Sequence, residues 1–422
     1  MSGRGLILAA PASGSGKTTV TLGLLRALAR RGTPVRGAKS GPDYIDPRFH
    51  AAACHAPCLN LDAWAMSPER IAARAAGDGL LLIEGAMGLF DGAPPEGRGA
   101  TADLARHLRL PVVLIVDAAK TAQSIAPLVA GFAGHDPEVR IAGVILNMVG
   151  SPRHEAMLRA ALAPLGLPVL GALHRDRTMA HPSRHLGLVQ AEERADLDTW
   201  LDAVADKVAG AVDLDTLSAL AAPLPDPAPG TPPAPPGQRI ALARDEAFAF
   251  SYPHMIHDWR AAGAEVLPFS PLADEPPDPR ADIVFLPGGY PELHAGRIAA
   301  AARFRAGMEA ATCPVYGECG GYMVLGEALT DAQGTRHRML GLLGVETSFA
   351  TRKLHLGYRS VTTTEGPFAG RWAAHEFHYA TTVSETGAPL FTASDAEGAA
   401  LVPMGLVRDN VSGSFAHLIE RA

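Results

Sequence analysis

One segment limits what this chain can fold into more than any other. An apolar run, Leu6–Ala10, leads directly into a glycine- and serine-rich segment, Ser13–Thr19. The run predicts a buried strand, and the apolar periodicity of Thr18–Arg30 predicts a helix. A strand, a glycine-rich turn and a helix in this order are typical of a phosphate-binding loop, in which backbone N–H groups and the helix N-terminus face an anion.

The chemistry expected of this loop is the binding of a nucleoside triphosphate. Lys17 is expected to contact the β- and γ-phosphates, and the Thr18 hydroxyl is a predicted Mg²⁺ ligand. Pro11 stands where such loops usually have their first glycine, so the early turn must differ from the common form. The predicted ATP-binding residues of the loop are Gly14, Gly16, Lys17, Thr18 and Thr19.

The segment before residue 222 alternates short apolar runs with helical patterns. Continuous apolar runs indicate strands that are covered on both faces, so the predicted fold class is α/β with a doubly wound, mostly parallel sheet. After the first strand, the predicted strands are Val35–Lys39, Leu80–Ile83, Val112–Val116, Ala142–Leu146 and Leu167–Leu173.

Polar residues end or follow several of these strands, at the edge where doubly wound sheets bind ligands. Glu84 is a predicted Mg²⁺ ligand. Lys39 is expected to contact the γ-phosphate or an anionic substrate. Asn147 is a predicted ATP-binding residue with two open interpretations, a contact with the adenine edge and a role in a turn. Asp117 occupies a similar position.

Two aspartates lie three residues apart in the glycine- and proline-rich segment after Lys39. Asp43 and Asp46 are candidate catalytic residues for phosphoryl transfer, and Asp46 is also a candidate Mg²⁺ ligand. A second interpretation stays open, because aspartates in such segments commonly cap their own backbone turns.

A proline-rich stretch divides the chain. Residues 222–237 have the sequence APLPDPAPGTPPAPPG. Proline fixes φ and removes a backbone donor, so we expect this stretch to join neither a sheet nor a helix. The predicted organisation is a first domain at residues 1–221, a linker at 222–238, and a smaller α/β domain with a mixed sheet at 239–422.

A cysteine lies in a sharp turn of the second domain. Gly317–Gly321 follows the apolar pair Val315 and Tyr316 and precedes an apolar segment, Tyr322–Leu329, that we expect to be helical. The pattern Gly-x-Cys-x-Gly between a strand and a helix is typical of a nucleophile elbow. The N-terminus of that helix is expected to lower the pKa of the Cys319 thiol.

A nucleophilic cysteine needs an oxyanion hole and a base. The N–H groups of Gly320 and of Gly289, in a second glycine-rich turn, are predicted to form the hole. His417 is the predicted base. His375 and His378 are rival candidates with two other interpretations, binding a carboxylate and lining an ammonia exit.

The composition disfavours several classes of protein. The net charge is −7 and no long block of Lys and Arg occurs, which argues against nucleic-acid binding. Four cysteines in 422 residues do not make a disulfide framework. The first apolar run is too short to span a membrane. We therefore expect a cytoplasmic protein without a nucleic-acid or membrane partner.

Together these motifs resemble those of the cobyrinic or hydrogenobyrinic acid a,c-diamide synthases, glutamine-hydrolysing amidoligases of corrinoid biosynthesis. The resemblance covers nearly the whole chain, and Pro11 is ordinary within it. The matching segments are Ala10–Thr19, Lys39–Pro47, Glu84–Gly92, Pro287–Glu292, Gly317–Gly321 and His375–Tyr379.

The resemblance implies a P-loop domain similar to dethiobiotin synthetase and a domain similar to class I, triad-type glutamine amidotransferases. It implies that Cys319 is the nucleophile and that His417 is its base. Such glutaminases usually place a glutamate two residues after the histidine. Here that position is Ile419, with Glu420 one residue further, so a Cys–His dyad is expected.

The resemblance also assigns roles in the first domain. Thr18 and Glu84 resemble Mg²⁺ ligands, and Asp43, Asp46 and Asp91 resemble residues that handle ATP and Mg²⁺ or act in the amidation. The implied reaction amidates the a and c acetates of hydrogenobyrinic or cobyrinic acid through an acyl phosphate. ATP and L-glutamine are the co-substrates, Mg²⁺ is the cofactor, and a homodimer is one expected assembly.

Two alternatives stay open on the sequence. The first is amidation of other corrin side chains, as cobyric acid synthases carry out. The second belongs to another class, a nucleotide-driven switch in which the cysteine domain is an inert binding module. The second alternative predicts no glutaminase activity and no amide product.

Overall fold

The structure is a computed structural model of the chain. It describes residues 3–179, 183–184, 187–188, 190–191, 194, 196–227 and 233–422. The chain forms two compact units, Met1–Gly230 and Thr231–Ala422.

The first unit alternates strands and helices. Its strands are β1 (Arg4–Ala9), β2 (Val35–Ser40), β3 (Leu59–Leu61), β4 (Leu80–Glu84), β5 (Val112–Asp117), β6 (Ile141–Val149), β7 (Val169–His174), β8 (Ser183–Arg184), β9 (Gly187–Leu188) and β10 (Ala222–Pro223). Its helices are α1 (Lys17–Arg30), α2 (Asp46–Cys54), α3 (Pro68–Ala75), α4 (Thr101–Leu108), α5 (Ile125–His135), α6 (Pro152–Leu162), α7 (Leu197–Ala211) and α8 (Leu214–Leu220).

The main sheet of this unit is parallel over seven strands, in the order β3-β2-β4-β1-β5-β6-β7. The apolar runs that predicted these strands are buried, and they pack with apolar residues of α1 and α7 into one core. The register sets Lys39 of β2 directly opposite Glu84 of β4. The predicted doubly wound fold is confirmed, and its carboxyl edge brings the polar strand-end residues together.

The proline-rich stretch differs from its prediction at its first residues. Ala222–Pro223 forms β10, which pairs antiparallel with Arg4 and Gly5 at the start of β1. The pairing is possible because β5 reaches β1 only from Ile7 onward, which leaves this edge open. A proline is tolerated on a short edge strand. Residues 228–232 of the stretch lie outside the described residues, and the boundaries at 221 and 239 stay predictions.

The second unit begins with the same alternation and continues with antiparallel strands. Its strands are β11 (Arg239–Ala243), β12 (Glu265–Phe269), β13 (Ile283–Leu286), β14 (Val315–Glu318), β15 (Ala328–Thr330), β16 (Arg336–Arg338), β17 (Gly344–Ser348), β18 (His355–Thr363), β19 (Gly370–His378), β20 (Thr381–Thr386), β21 (Ala388–Asp395), β22 (Met404–Arg408), β23 (Val411–Ser414) and β24 (Ala416–Arg421). Its helices are α9 (Pro253–Ala261), α10 (Ala295–Ala300), α11 (Ala302–Glu309) and α12 (Gly320–Leu325).

A mixed ten-stranded sheet forms the body of this unit, in the order β12-β11-β13-β14-β23-β22-β21-β18-β19-β24. The strands from β12 to β23 pair in parallel, and the rest pair antiparallel. Although β24 ends this path, the Leu418 N–H donates to Glu318 Oε1 at 3.0 Å, so the last strand returns to the end of β14. That return brings His417 to the cysteine.

The helix predicted over Tyr322–Leu329 is shorter than expected. Helical residues end at Leu325, and Ala328–Thr330 forms β15 instead. Gly326 is the point of change, because its backbone is extended and its N–H bonds back to the Met323 carbonyl. Among the described residues, no helix is both long enough and apolar enough to cross a bilayer.

Candidate active sites

The phosphate loop has the backbone that its glycines predict. Gly14 and Gly16 both have φ near +80°, in the left-handed region that favours glycine. Asn147 donates from Nδ2 to the Ser15 carbonyl at 2.8 Å, and a Cβ on Gly16 would lie 2.3 Å from the same Nδ2. Asn147 therefore holds the loop from β6. Asn147 itself lies within β6 and not in a turn, and a contact with adenine stays a prediction.

Lys17 lies at the start of α1 and reaches the segment after β4. Its ammonium donates to the Met87 carbonyl, and burial lowers its pKa. The turn that presents this carbonyl is fixed by Asp91, whose Oδ2 accepts the Gly88 N–H at 2.8 Å. The structure thus gives Asp91 a turn-forming role close to Lys17. A part for Asp91 in the amidation stays a prediction.

A buried cluster of charges lies beside the loop. Lys39 Nζ is 2.5 Å from Asp46 Oδ2 and 2.8 Å from Glu84 Oε1. The Thr18 hydroxyl donates to the same Glu84 oxygen at 2.6 Å. His50, fully buried on α2, lies with Nε2 2.6 Å from Glu84 Oε2. Thr18, Lys39, Asp46 and Glu84, all predicted from the sequence, therefore lie in one cluster.

The partners in this cluster keep one another ionised. Burial alone would lower the pKa of Lys39, but Asp46 and Glu84 outweigh it and raise the pKa well above its ordinary value. Burial alone would raise the pKa of Glu84, but Lys39 and His50 hold it well below the usual range.

The donor set of the cluster fits a magnesium ion. One oxygen of Asp46 and one of Glu84 contact both the Lys39 ammonium and the Thr18 hydroxyl, so a cation already lies among these oxygens. Asp46 Oδ1 is buried and has no hydrogen-bond partner in the structure, which leaves it available as a ligand. Hydroxyl and carboxylate oxygens are the ligands that Mg²⁺ prefers. The Mg²⁺ ligands named from the sequence stay predictions that this geometry supports.

Asp43 caps its own turn. Its Oδ1 accepts the backbone N–H groups of Ile45 and Asp46, at 2.8 and 3.0 Å. This is the structural interpretation that the sequence left open. Burial and the neighbouring Asp46 raise the pKa of Asp43 to about 6, and its Oδ2 lies 3.9 Å from Lys39 Nζ. A catalytic role for Asp43 stays a prediction.

The cysteine lies in a strained turn between β14 and α12. Cys319 has φ 47° and ψ −104°, a conformation that L-residues rarely adopt and that nucleophile elbows require. Glycines make the turn possible, since a Cβ on Gly321 would lie 2.0 Å from the Leu286 carbonyl oxygen. The sulfur lies 3.9 Å from the Phe377 carbonyl of β19.

Two glycine turns meet at the cysteine. A Cβ on Gly320 would lie 3.0 Å from the Gly289 nitrogen, so the two predicted oxyanion-hole donors are neighbours. A Cβ on Gly289 would lie 2.0 Å from the Ala247 carbonyl oxygen, which explains the need for glycine there. The close approach of these N–H groups supports an oxyanion hole, which stays a prediction.

His417 lies against the cysteine. A Cβ on Gly288 would lie 2.4 Å from His417 Cε1, 3.0 Å from its Nε2 and 3.3 Å from Cys319 Cβ. The imidazole edge that carries Nε2 and the Cys319 side chain therefore flank one point. Burial, together with His375 and His378, lowers the pKa of His417 to about 3, so the imidazole is neutral at pH 7 and able to accept a proton.

The pKa of Cys319, the predicted nucleophile, differs from its prediction. Burial raises the pKa of Cys319 above its ordinary value, and the nearby Glu292 raises it further. The expected lowering exists, because the Gly320 N–H favours the thiolate, but it is smaller than the burial effect. The reason is that Cys319 is only 3% exposed and that α12 has only six residues. The thiol is therefore protonated until a base removes its proton.

The two rival histidines lie on β19 beside this site. His375 pairs with His417 across β19 and β24, and burial and Arg359 lower its pKa to about 4. His378 Nε2 lies 3.0 Å from Glu376 Oε1, and Arg359 pairs with the other oxygen of that carboxylate at 2.8 Å.

A metal ion among His355, Glu376 and His378 is disfavoured. His355, Glu376 and His378 bring ligand atoms within 4.8 Å of one another. The two imidazole rings, however, are stacked 4.6 Å apart and nearly parallel, so their in-plane lone pairs do not converge on one ion. Arg359 also already neutralises the carboxylate.

Three buried acid–base residues were given no role from the sequence. Glu318 ends β14 with its side chain 2% exposed, and burial raises its pKa to about 8. Glu292 lies in the 3₁₀ turn Pro291–Leu293, and burial raises its pKa to about 7. His50 carries the hydrogen bond to Glu84. The position of Glu318 next to Cys319 was visible in the sequence, but its contact with β24 depends on the fold.

Comparison with known proteins assigns each part of the chain to a domain family. Residues 6–189 match the family described as the CobQ/CobB/MinD/ParA nucleotide binding domain. Residues 239–422 match the family described as the CobB/CobQ-like glutamine amidotransferase domain. The fold and the sites therefore define an amidoligase that joins a nucleotide-binding domain to a glutamine amidotransferase.

Full-length relatives identify the family. The chain is 57% identical to hydrogenobyrinate a,c-diamide synthase of Rhodobacter capsulatus, over 99% of this chain and 98% of that protein. It is 57% identical to the enzyme of that name from Rhizobium meliloti, over 99% of both chains. It is 56% identical to that of Brucella anthropi, over 99% of this chain and 98% of the relative. The chain belongs to the hydrogenobyrinate a,c-diamide synthase family, which confirms the resemblance and sets aside the nucleotide-driven switch.

Proposed function

We propose that this protein catalyses the ATP- and glutamine-dependent amidation of the a and c acetate side chains of hydrogenobyrinic acid in cobalamin biosynthesis. The names of the relatives favour this metal-free acid over cobyrinic acid. The observation that carries the proposal is the presence in one chain of the Thr18–Glu84 cluster beside a phosphate loop and of Cys319 beside His417. The cytoplasm supplies both co-substrates and is the location we propose.

Ammonia is generated in the second unit. His417 takes the proton of Cys319, and the thiolate attacks the side-chain carbonyl carbon of glutamine. The N–H groups of Gly289 and Gly320 stabilise the oxyanion. The C–N bond then breaks, the leaving nitrogen takes the proton from His417, and ammonia departs. Water hydrolyses the thioester to glutamate and restores the thiol.

The carboxylate is activated in the first unit. Lys17 and the loop N–H groups hold the triphosphate while an acetate oxygen of the corrin attacks the γ-phosphorus. The bond to the bridging oxygen breaks, which gives ADP and an acyl phosphate. Ammonia attacks the acyl carbon, and phosphate leaves. Each amide therefore consumes one ATP and one glutamine.

Charge is neutralised by residues of the buried cluster. Thr18, Asp46 and Glu84 would hold Mg²⁺, which when bound neutralises phosphate charge during transfer. Lys39 neutralises the same carboxylates in the structure, and we propose that its ammonium contacts the γ-phosphate when nucleotide is present. Asp43 would keep the segment between Lys39 and Asp46 in its turn.

The test is product analysis with defined corrinoids. Purified protein is incubated with ATP, Mg²⁺, glutamine and either hydrogenobyrinic or cobyrinic acid, and the products are weighed and their amides located. Two amides at a and c, formed faster on the metal-free acid, are expected. Four amides at other side chains would instead indicate a cobyric acid synthase activity. Transfer of ¹⁸O from a labelled carboxylate to phosphate is expected for the acyl phosphate.

A variant separates the two units. Cys319→Ala is expected to lose glutamine-dependent synthesis and to retain synthesis from ammonium salts, because the acyl phosphate forms without the thiol. Loss of both activities would contradict separate sites for the two half-reactions.

A further inference from the structure

The residue directly before the nucleophile is a buried glutamate. Glu318 ends β14, and its side chain is 2% exposed. Its Oε1 accepts the Leu418 N–H of β24 at 3.0 Å, which fixes the carboxyl group beside that strand. Its Oε2 then lies 3.7 Å from His417 Nδ1. A residue from the nucleophile strand therefore contacts the strand that carries the base.

The geometry divides the two imidazole nitrogens between two tasks. Nε2 and Cε1 of His417 face Gly288 and the nucleophile, whereas Nδ1 faces Glu318. In a catalytic triad the third residue occupies this place, because it fixes which nitrogen carries the hydrogen and stabilises the imidazolium. The distance of 3.7 Å is longer than a hydrogen bond, as is common for catalytic contacts before substrate binds.

We propose that Glu318 is the positioning residue for His417 in glutamine hydrolysis. Its carboxylate accepts Nδ1–H, so Nε2 presents its lone pair to Cys319. When the thiol proton moves to Nε2, the imidazolium formed is paired with that carboxylate. The same proton then leaves with the amide nitrogen. Glu318 lies on a strand distant in sequence from His417. It takes the role of the glutamate that such glutaminases usually have at the position of Ile419.

Burial makes such a partner necessary. Without an opposite charge nearby, an imidazolium at His417 is strongly disfavoured, as its lowered pKa of about 3 shows. Burial also raises the pKa of Glu318 to about 8, although the hydrogen bond from the Leu418 N–H favours the ionised carboxylate. A pair of opposite charges this close in a dry site stabilises both members, so the ionised carboxylate lowers the cost of moving the proton.

Other charged groups face the same site. His375 and His378 of β19 face His417 and oppose its protonation. Glu292 of the 3₁₀ turn, Glu318 itself and Glu376 of β19 oppose the ionisation of Cys319. Glu318 also faces the phenol of Tyr316 on its own strand. Apart from Glu318, each of these groups is unchanged in a Glu318 variant, so a difference from the native protein reports on Glu318.

The test measures glutaminase activity in the full chain, with Glu318→Gln, Glu318→Asp and the neighbouring Glu420→Gln as a matched control. Glutamine at position 318 can still accept the Leu418 N–H, but it cannot stabilise an imidazolium. We expect kcat for glutamine hydrolysis to fall about 100-fold, with KM nearly unchanged, because the lost interaction forms only in the transition state. Glu318→Asp should recover part of the loss, and Glu420→Gln should behave as the native protein.

Two readouts distinguish positioning from a structural role. Synthesis from ammonium salts should be native in every variant, which shows that the chain is folded. The native glutaminase rate should rise with pH as Glu318 ionises, with a midpoint near its pKa of about 8, and this rise should be missing in Glu318→Gln. A native rate in Glu318→Gln, an unchanged pH profile, or a loss confined to Glu420→Gln would overturn the proposal.

The inference rests on the proposed roles of Cys319 and His417. The Cys319→Ala variant separates a failure of the proposed function from a failure of the inference. If Cys319→Ala kept glutaminase activity, the proposed function would fail, whatever Glu318 does. If Glu318→Gln does not fold, Glu318→Asp and the native pH profile still decide. A native profile with no rise between pH 6 and pH 9 contradicts the proposal.

Discussion

The two buried sites of this chain handle charge in opposite ways. In the nucleotide-binding unit, Lys39 lies 2.5 Å from Asp46 and 2.8 Å from Glu84, and opposite charges keep the lysine and Glu84 ionised. In the amidotransferase unit, Glu318 and His417 are just as buried but 3.7 Å apart, and burial favours the neutral form of each. Similar burial therefore gives a charged cluster in one unit and a neutral one in the other.

The difference follows from the reaction that each site must perform. A cluster with balanced charges can exchange one cation for another, which suits a site where an ammonium and Mg²⁺ would use the same oxygens. In the mechanism proposed for the second site, which attacks a neutral amide, charges are needed only during the reaction, when the thiol proton moves to the imidazole. The distance between oppositely charged partners, more than the depth of burial, decides whether the groups of a site are charged or neutral.

The largest effect is expected from removing the cation of the charged cluster. Lys39→Met removes the ammonium that lies between the buried carboxylates of Asp46 and Glu84, and breaking such a pair typically costs about 3–5 kcal/mol of unfolding free energy. Mg²⁺ should restore part of this loss in the variant, because the same oxygens would bind it. Urea denaturation with and without Mg²⁺, followed by hydrogen exchange in peptides of the first unit, measures both effects.

An exposed lysine supplies the control for this prediction. Lys120 lies at the surface of the same unit, so Lys120→Met should leave the unfolding free energy within about 0.5 kcal/mol of the native value. Equal stability of the Lys39 and Lys120 variants would contradict the charge balance described above. Stability lost at Lys39 but insensitive to Mg²⁺ would argue against the predicted metal ligands.

The next effect concerns the neutral site, where geometry matters more than charge. Gly288→Ala places a methyl group 2.4 Å from His417 Cε1 and 3.3 Å from Cys319 Cβ, so the imidazole must move. A displacement of about 1 Å can cost about 100-fold in rate, and glutaminase kcat is expected to fall by that factor. Synthesis from ammonium salts should be unaffected.

A second glycine of the same unit is the matched control. A Cβ on Gly296 would have its nearest neighbour at 3.7 Å, an ordinary contact, so Gly296→Ala should retain glutaminase activity. Native activity in Gly288→Ala would show that His417 does not need the position seen in the structure.

The two sites also differ in how far the sequence could predict them. Lys17, Thr18, Lys39 and Glu84 end or follow neighbouring strands, and parallel strands bring such residues to one edge, so their grouping followed from the pattern. That Lys39 would lie among carboxylates could not be predicted, because the register of β2 and β4 sets it opposite Glu84.

In the amidotransferase unit, the sequence identified the elbow but not its electrostatics. The order of strand, Cys319 and helix was sufficient to predict the sharp turn that the structure shows at Cys319. The sign of its pKa shift depended on burial by strands far along the chain, which no local pattern encodes. Because Ile419 occupies the position where such glutaminases usually have a glutamate, the sequence predicted a Cys–His dyad without a third acid. Glu318 lies beside His417 because β24 pairs with β19 and returns to the end of β14.

The opposite pKa shifts predict opposite responses to pH. The folded-state pKa of Glu84 is below its ordinary value of 4.5, so its stabilising effect is present above pH 4.5 and is lost as the pH falls. The folded-state pKa of Glu318 is about 8, above the same ordinary value, so stability is lost as the pH rises from 4.5 to 8. The unfolding free energy of the second unit should therefore decrease over that range, relative to Glu318→Gln.

Urea denaturation at pH 5 and pH 8 of the native protein and Glu318→Gln checks this prediction. The comparison removes the contributions of other titrating groups, which both proteins share. If the unfolding free energies of the two proteins differ by the same amount at pH 5 and pH 8, the pKa of Glu318 is not strongly raised in the folded protein. If the difference grows while glutaminase activity rises in the native protein only, the carboxylate that assists catalysis also costs stability.

The smallest effect is expected at Glu292. In the first unit, carboxylates favour the charged form of Lys39, whereas the carboxylate of Glu292 is expected to disfavour the charged form of Cys319. Glu292 raises the pKa of Cys319, and its own pKa is about 7. Glu292→Gln should therefore speed alkylation of Cys319 by iodoacetamide about threefold at pH 8, which corresponds to about half a pKa unit, and leave it unchanged at pH 6. Peptide mass spectrometry isolates the Cys319 signal, and exposed Glu309→Gln is the control. An equal increase at both pH values would indicate better access to the thiol instead of a removed charge.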